Sequence, residues 1–214
     1  MKLYTYFRSS AAFRARIALN VKGIPYEPVF IDLRPPAASH RTPEFLAVNP
    51  QGLIPALTDE GTTIGQSLAI IEYLDETHPE PPLLPAAPAD RARVRAMALE
   101  VACDVHPLNN LRVLNYLRGP LARDEDAVNT WYRHWIAEGL GSLEEEAKRA
   151  SGDGRNMFGT TVTLADVCIV PQVYNARRFN CDLAPYPTLR GICAHLESLP
   201  AFARAAPEAQ PDAR

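Results

Sequence analysis

Phe7-Arg8-Ser9-Ser10-Ala11-Ala12-Phe13-Arg14-Ala15-Arg16-Ile17-Ala18-Leu19 joins two kinds of periodicity. The residues before it, Lys2-Leu3-Tyr4-Thr5-Tyr6-Phe7, alternate and carry three aromatics, which predicts a short strand. After it, Phe13, Ile17 and Val21 recur at intervals of four and predict a helix. Two serines stand where strand becomes helix. Free backbone N–H groups and the positive end of the helix dipole favour an anion there. A plain helix cap explains Ser9 or Ser10 equally well from this segment alone.

Working outward, Gly23-Ile24-Pro25 stops the helix and Tyr26 to Ile31 reads as a second strand. Strand, helix, strand makes a βαβ unit with parallel strands and a right-handed crossover. Asp32 to Pro43, with Pro35-Pro36 and His40-Arg41, reads as a loop ending in a short helix at Glu44-Phe45-Leu46. In Asn49-Pro50-Gln51-Gly52-Leu53-Ile54-Pro55-Ala56-Leu57-Thr58 a proline sits between apolar pairs and cannot be an ordinary ladder member. Ile54-Pro55 is either an edge-strand proline or a cis peptide that exposes backbone groups at a strand end. Asp59-Glu60-Gly61 turns the chain into Thr62-Thr63-Ile64, a hairpin. Gln66-Ser67 then opens a helix over Leu68 to Leu74 with Ser67 as its N-cap, a second helix start suited to an anion.

Pro79-Glu80-Pro81-Pro82-Leu83-Leu84-Pro85-Ala86-Ala87-Pro88 is a stiff break in composition and reads as a linker. Beyond it the chain reads as helical. Asp90 is expected to cap a long helix reaching Leu117, ended by Gly119-Pro120, and Asp124 to Arg149 to form the next. Thr163-Leu164-Ala165-Asp166 fits a capping box whose helix runs toward Phe179 with a kink at Pro171, and Pro187 opens a further helix. The tail, Ala205 to Arg214, is polar and is expected to fray. The expected division is an α/β domain over 1–82, a linker over 83–88 and an all-helical domain over 89–214.

The composition bounds the function. With 214 residues, 47% hydrophobic and 22% charged, the chain has the balance of a globular protein able to bury a sizeable core. A net charge of −3 argues against nucleic acid or an anionic membrane as partner. No apolar run approaches the roughly 20 residues needed to span a bilayer, and the start shows no signal-peptide pattern. A cytoplasmic location is expected. Cys103, Cys168, Cys181 and Cys193 lack CxxC spacing, and His40, His78, His106, His134 and His195 form no cluster, so neither a disulfide framework nor a zinc site is expected.

Taken together, Phe7-Arg8-Ser9-Ser10, Arg14-Ala15-Arg16-Ile17-Ala18-Leu19, Asn49 to Leu57, Gln66 to Leu74, His106-Pro107-Leu108-Asn109-Asn110, Thr163 to Asp166 and Val170-Pro171-Gln172-Val173 with Arg177-Arg178-Phe179 resemble zeta-class glutathione transferases over nearly the whole chain. One position departs from that pattern: Ala11 stands where the family often has cysteine. The resemblance implies a thioredoxin-like N-terminal domain that binds glutathione, a helical C-terminal domain that shapes the substrate pocket, and a homodimer. It implies a glutathione-dependent cis–trans isomerase acting on a small dicarboxylate, either maleylacetoacetate in tyrosine and homogentisate breakdown or maleylpyruvate in gentisate breakdown.

Residue by residue, the resemblance makes Ser9 the partner of the glutathione sulfur with Ser10 beside it. It gives Ile54 a backbone pairing with the tripeptide, and Gln66 and Ser67 the γ-glutamyl carboxylate. His40, His106 and Asn110 become outer contacts. Arg8 and Arg178 are the arginines expected to bind and polarise the substrate, with Arg177 and Arg112 as further candidates. Each of the four has a second reading as a solvated surface charge, which fits Arg177 and Arg112 better than Arg8 and Arg178. Glutathione displacement on α-halo acids, or glutathione binding without turnover, are the competing activities. A disulfide oxidoreductase on the same fold would need a cysteine at the first helix start, where Ser9-Ser10-Ala11-Ala12 has none.

Overall fold

The computed structural model describes residues 1–34 and 37–213; Pro35-Pro36 of the expected loop and Arg214 of the expected tail lie outside the described residues. It divides into two compact units, one of residues 1–82 together with 198–214, the other of residues 83–197.

In the first unit, β1 (Lys2–Thr5), α1 (Ser10–Val21) and β2 (Glu27–Phe30) form the expected βαβ unit. β1 and β2 are parallel, with Lys2 opposite Glu27 and Thr5 opposite Phe30. After α2 (Pro43–Val48), β3 (Ala56–Asp59) and β4 (Thr62–Gly65) complete a sheet of order β2-β1-β3-β4 in which β3 runs antiparallel to both neighbours. The β3–β4 turn places Glu60 (φ 46) and Gly61 (φ 83) in the left-handed region, as a tight hairpin turn requires. α3 (Ser67–Thr77) comes next. Ala12, Phe13, Ala15, Ile17, Ala18 and Leu19 of α1 are all buried, so that helix has almost no solvent face. The Ile54-Pro55 bond is cis, and so is Glu80-Pro81, which sequence reasoning did not single out.

The second unit is helical: α4 (Pro88–Leu99), α5 (Leu111–Arg118), α6 (Glu125–Ala150), α7 (Leu164–Arg178) and α8 (Pro187–Ser198), whose last residue groups with the first unit. The single helix expected from Asp90 to Leu117 is in fact broken. A π-helical segment, Glu100–Val105, and a 3-10 turn, Pro107–Asn109, separate α4 from α5. Pro107 has no N–H to continue the ladder, and Asn110 recaps the chain by accepting the Arg112 N–H at 3.1 Å. At the other end Pro88 occupies the first turn and Ala87 the cap, leaving Asp90 as a first-turn acid. α7 runs through Pro171. The proline-rich stretch is more than a spacer: Leu83 and Leu84 are buried, and Leu83 accepts the Leu164 N–H at 2.8 Å at the start of α7. Among the described residues no helix is long and apolar enough to cross a membrane.

Two features of this unit make predictions. Gly139 of α6 faces Val105, and a Cβ there would overlap the Val105 Cγ2 methyl. Valine is stiff at χ1 and cannot swing aside. Gly139→Ala is therefore expected to lose about 1–3 kcal/mol despite alanine's better helix propensity, and Val105→Ala in the same chain to recover most of it, read by urea unfolding.

The expected capping box is present. Asp166 accepts the Thr163 N–H at 2.7 Å, the Thr163 hydroxyl at 2.9 Å and the Met157 N–H at 2.7 Å. Complete burial outweighs those donors and pushes its carboxyl up to about 6. The folded chain thus binds a proton that the unfolded chain releases between about pH 4 and pH 6, so the Asp166 contribution to stability falls as pH rises through that window and is flat above it. Subtracting the unfolding free energies of Asp166→Asn from those of the parent should expose this negative slope, on the order of 2–3 kcal/mol across the window.

The last segment departs furthest from expectation. Residues 200–213 do not fray. α9 (Pro200–Ala205) packs on α1, burying Phe202 and Ala205, and a 3-10 turn comes after it at Pro207–Ala209. Asn20 donates to the Ala201 carbonyl at 2.9 Å and Arg16 Nε to the Ala205 carbonyl at 3.0 Å. Further on, Asp212 Oδ2 accepts the Phe7 N–H at 2.9 Å, and Ala213 packs on the cluster Tyr6, Phe7, Ile31, Phe45 and Ile54. The polar composition concealed apolar anchors and carbonyl acceptors that α1 satisfies.

Candidate active site

The β1–α1 turn carries Arg8, Ser9 and Ser10. Ser9 is the N-cap of α1, and its Oγ accepts the Ala12 N–H at 3.2 Å. Capping occupies a lone pair and leaves the hydroxyl proton available for donation. The two readings of this serine are therefore compatible. Ser10 is buried in the first turn of α1. Arg8 is exposed and lies over the Phe7 ring, 5.0 Å from its centroid, with Nη2 donating to the Tyr6 hydroxyl at 3.1 Å. It makes no ion pair among the described residues, although its charge helps the hydrogen bonds from Arg34 hold the Asp32 carboxyl down to about 2.

The turn is held by charged groups. Arg16, fully buried, donates to Thr5 Oγ1 at 3.0 Å, to the Tyr6 carbonyl at 3.3 Å and to the Phe7 carbonyl at 3.0 Å. Burial lowers its pKa to about 10, against the opposing pull of Tyr26 and Asp212, so it remains charged at neutral pH. Arg14, also buried, reaches Ser67 Oγ at 3.4 Å.

The second helix start lies in the same unit. Gln66, exposed at φ 64, is the N-cap of α3, making Ser67 the first helical residue rather than the cap; the Gln66 side chain donates to Gln51 Oε1 at 3.0 Å. Ile54 stands just outside β3, and among the described residues no hydrogen bond to its backbone N–H or C=O is formed. His40 sits in a 3-10 turn (Ser39–Arg41); burial, then the charge of Arg41, lowers its pKa. Gly52 (φ +60) lets the chain pass beside it: a Cβ there would come within 3.0 Å of the His40 carbonyl and 2.9 Å of Arg41 Nη1.

In the helical unit, Asn110 caps α5 and its Nδ2 lies 3.4 Å from His106 Nε2. Arg112 is exposed on α5. Of the paired arginines at the end of α7, Arg177 is committed to an ion pair with Glu197. Arg178 is exposed, lies 5.6 Å from the Phe179 ring centroid and forms no ion pair among the described residues. The four cysteines are unbridged, and burial pushes the Cys181 thiol up to about 11 and that of Cys193 upward as well, away from nucleophilic use.

A family model described as "Glutathione S-transferase, N-terminal domain" matches residues 3–82. A probable maleylacetoacetate isomerase of Vibrio cholerae is 51% identical over 99% of this chain and 97% of its own length. Among solved structures, a holo maleylpyruvate isomerase, a bacterial glutathione transferase of the zeta class, superimposes with TM-score 0.96 at 48% identity, covering both chains fully. This chain belongs to the zeta class of glutathione transferases. A maleylacetoacetate isomerase from Methylobacterium extorquens AM1, solved with bound malonate and glutathione, matches this transferase at 44% identity and TM-score 0.94, again over 100% of both chains.

Four residues of this zeta-class transferase that hold the turn before α1 or the start of α3 were not singled out from the sequence: Arg14, Arg16, Gln51 and Asp212. A signal existed for the first two. A helix whose neighbouring positions are Phe13, Ala15, Ile17, Ala18 and Leu19 leaves no solvated face for two arginines, so they had to find buried partners. Gln51 and Asp212 carried no such mark.

Proposed function

We propose that this transferase is a glutathione-dependent cis–trans isomerase that converts maleylacetoacetate to fumarylacetoacetate. The observation that carries the reading is Ser9, whose Oγ caps α1 with a lone pair and keeps its O–H for an anion. Glutathione fits the residues present: the unengaged backbone of Ile54 suits an extended peptide, and the first turn of α3, with buried Ser67, suits a carboxylate. Ser10 and Gln66 complete that set, and His40, His106 and Asn110 are outer contacts. Bound glutathione supplies a thiolate that adds to the conjugated double bond and leaves once the bond has rotated.

Ser9 and α1 hold the sulfur as its anion. A free thiol has a pKa of about 8.5, and lowering it by two needs roughly 2.7 kcal/mol. A helix N-terminus gives about 0.3–1 kcal/mol, and a hydrogen bond to a charged group about 1.5–3 kcal/mol. The dipole alone falls short, while dipole plus hydroxyl suffices. Arg178 binds a substrate carboxylate through its planar fork and stabilises charge that builds on the substrate; Arg8, resting on aromatic faces with no ion pair among the described residues, is the second cation for that task. The Arg177–Glu197 pair favours Arg178 over its neighbour, and Arg112 ranks below both Arg8 and Arg178.

Maleylpyruvate is the second reading, favoured by the 48% identical holo maleylpyruvate isomerase. A homodimer in the cytoplasm belongs to the same proposal; the four unbridged cysteines suit a reducing compartment, and light scattering should return twice the 23.6 kDa chain mass. The deciding experiment is a spectrophotometric assay with each cis substrate, with and without glutathione. Glutathione-dependent loss of one substrate supports the isomerase and ranks the two; no turnover of either by folded protein that binds glutathione overturns it.

A further inference from the structure

We infer that Asp212 is a positioning residue of the glutathione site, acting through the Phe7 peptide. Both polar groups of that residue end on charged side chains: its N–H on Asp212 Oδ2 at 2.9 Å and its C=O on Arg16 Nη2 at 3.0 Å. The carboxylate and the guanidinium attract one another as well, since Asp212 is one of the groups that hold the Arg16 pKa up against burial. Phe7 is thus clamped between opposite charges one residue before Arg8 and two before Ser9. Hydrogen bonds to charged groups are the stronger and more directional kind, so the clamp sets the orientation from which Ser9 enters α1.

The rest of the segment serves the clamp. Ala213 packs on Tyr6, Phe7 and Ile54, which brings Asp212 against the floor of the turn. Arg16 closes the loop from below, because the same guanidinium that holds the Tyr6 and Phe7 carbonyls also holds Ala205, seven residues before Asp212. Among the described residues Oδ1 of Asp212 is buried without a hydrogen-bond partner, so this carboxylate bears a burial cost that its Phe7 bond and Arg16 offset. An aspartate held under such a cost beside Ser9 has a geometric task.

The inference rests on the Phe7–Ser10 turn being the glutathione site, and its test separates the two. Glutathione affinity is measured by calorimetry on the full chain, alongside the thermal midpoint. Asp212→Ala strands the Phe7 N–H and is expected to weaken glutathione roughly 10-fold. Asp212→Asn keeps an acceptor oxygen for that N–H and is expected to restore affinity to within about 3-fold of the parent. Gln210→Ala loses the bonds to the Arg204 and Ala206 carbonyls, and so loosens the same segment without touching Phe7. It should lower the midpoint and leave affinity unchanged. Asp212→Glu, which moves the acceptor by one methylene but keeps the charge, carries the test if Asp212→Ala does not fold, and should also weaken binding. Unchanged affinity in Asp212→Ala or Asp212→Glu overturns the inference, as does a loss in Gln210→Ala matching that in Asp212→Ala. A parent protein that does not bind glutathione overturns the site reading instead.

Discussion

Ser9→Ala is expected to slow isomerase turnover by roughly 10- to 100-fold at neutral pH, because it removes the proposed hydrogen bond to the sulfur anion, worth about 1.5–3 kcal/mol. The same change deletes the α1 cap and should cost about 1 kcal/mol of stability. Deleting the oxygen therefore cannot separate its two jobs. Ser9→Asp can. Aspartate caps a helix as well as serine does, so its carboxylate should keep the Ala12 N–H and hold stability within about 0.5 kcal/mol of the parent. It donates no hydrogen bond when ionised and places negative charge where a thiolate must sit, so turnover should fall at least as far as in Ser9→Ala. A stable, inactive Ser9→Asp beside a less stable, partly active Ser9→Ala is the predicted pattern. Full turnover in Ser9→Ala, with melting lowered, would reduce Ser9 to a cap.

Arg16→Met should give the largest loss of stability in the first unit, about 3–5 kcal/mol. The side chain supplies four donors to acceptors on Thr5, Tyr6, Phe7 and Ala205; its removal takes a donor from each of these oxygens, of which the Tyr6 carbonyl keeps the Ser9 N–H at 3.0 Å. For a chain of this length the loss corresponds to a melting point lower by roughly 6–20 °C in a calorimetric scan. Arg16→Lys should recover less than half of it, because three donors radiating from one nitrogen cannot span acceptors arranged for a planar fork. A melting point unchanged in Arg16→Met would mean that the turn is held by backbone geometry alone.

The first unit was legible because its signals are local. Alternation in Lys2–Phe7, fourfold spacing in Phe13–Val21 and the turn at Asp59-Glu60-Gly61 each specify an element within a dozen residues, and the parallel and antiparallel pairings come from them. At Ile54-Pro55 the local pattern left an edge-strand proline and a cis bond both open, and the bond is cis. The helical unit was read well where caps announce themselves, at Asp124 and at Thr163–Asp166, and badly at residues 99–110. There the apolar spacing continues through a π-helical segment that Gly139 admits by lacking a side chain against Val105, a fact of packing between elements far apart in sequence. The last segment failed as a prediction because its main holds are with residues far away in sequence, in α1, in the turn before it and in the cluster around Ile54. A run of Pro, Glu, Ala and Gln looks solvated until Arg16 and Phe7 are placed beside it. Arg177 and Arg178, identical in type, part company through distant or local partners the sequence does not mark: Glu197 faces the first, and the Phe179 ring lies under the second.

The order of synthesis gives the discontinuous first unit a further meaning. Residues 1–82 leave the ribosome first, yet their unit closes only when 198–214 arrive, after the whole of 83–197 has been made. Contacts between Phe7 and Asp212 are among the most distant in sequence that this chain can make, and such contacts form late. A chain released early therefore has its sheet and α1 but lacks the acceptor for Phe7 and the Ala205 carbonyl for Arg16. The nascent α/β unit is left with buried Arg16 short of one acceptor and with an unfinished turn, so chains truncated before residue 198 are expected to be cut faster by protease than the full chain.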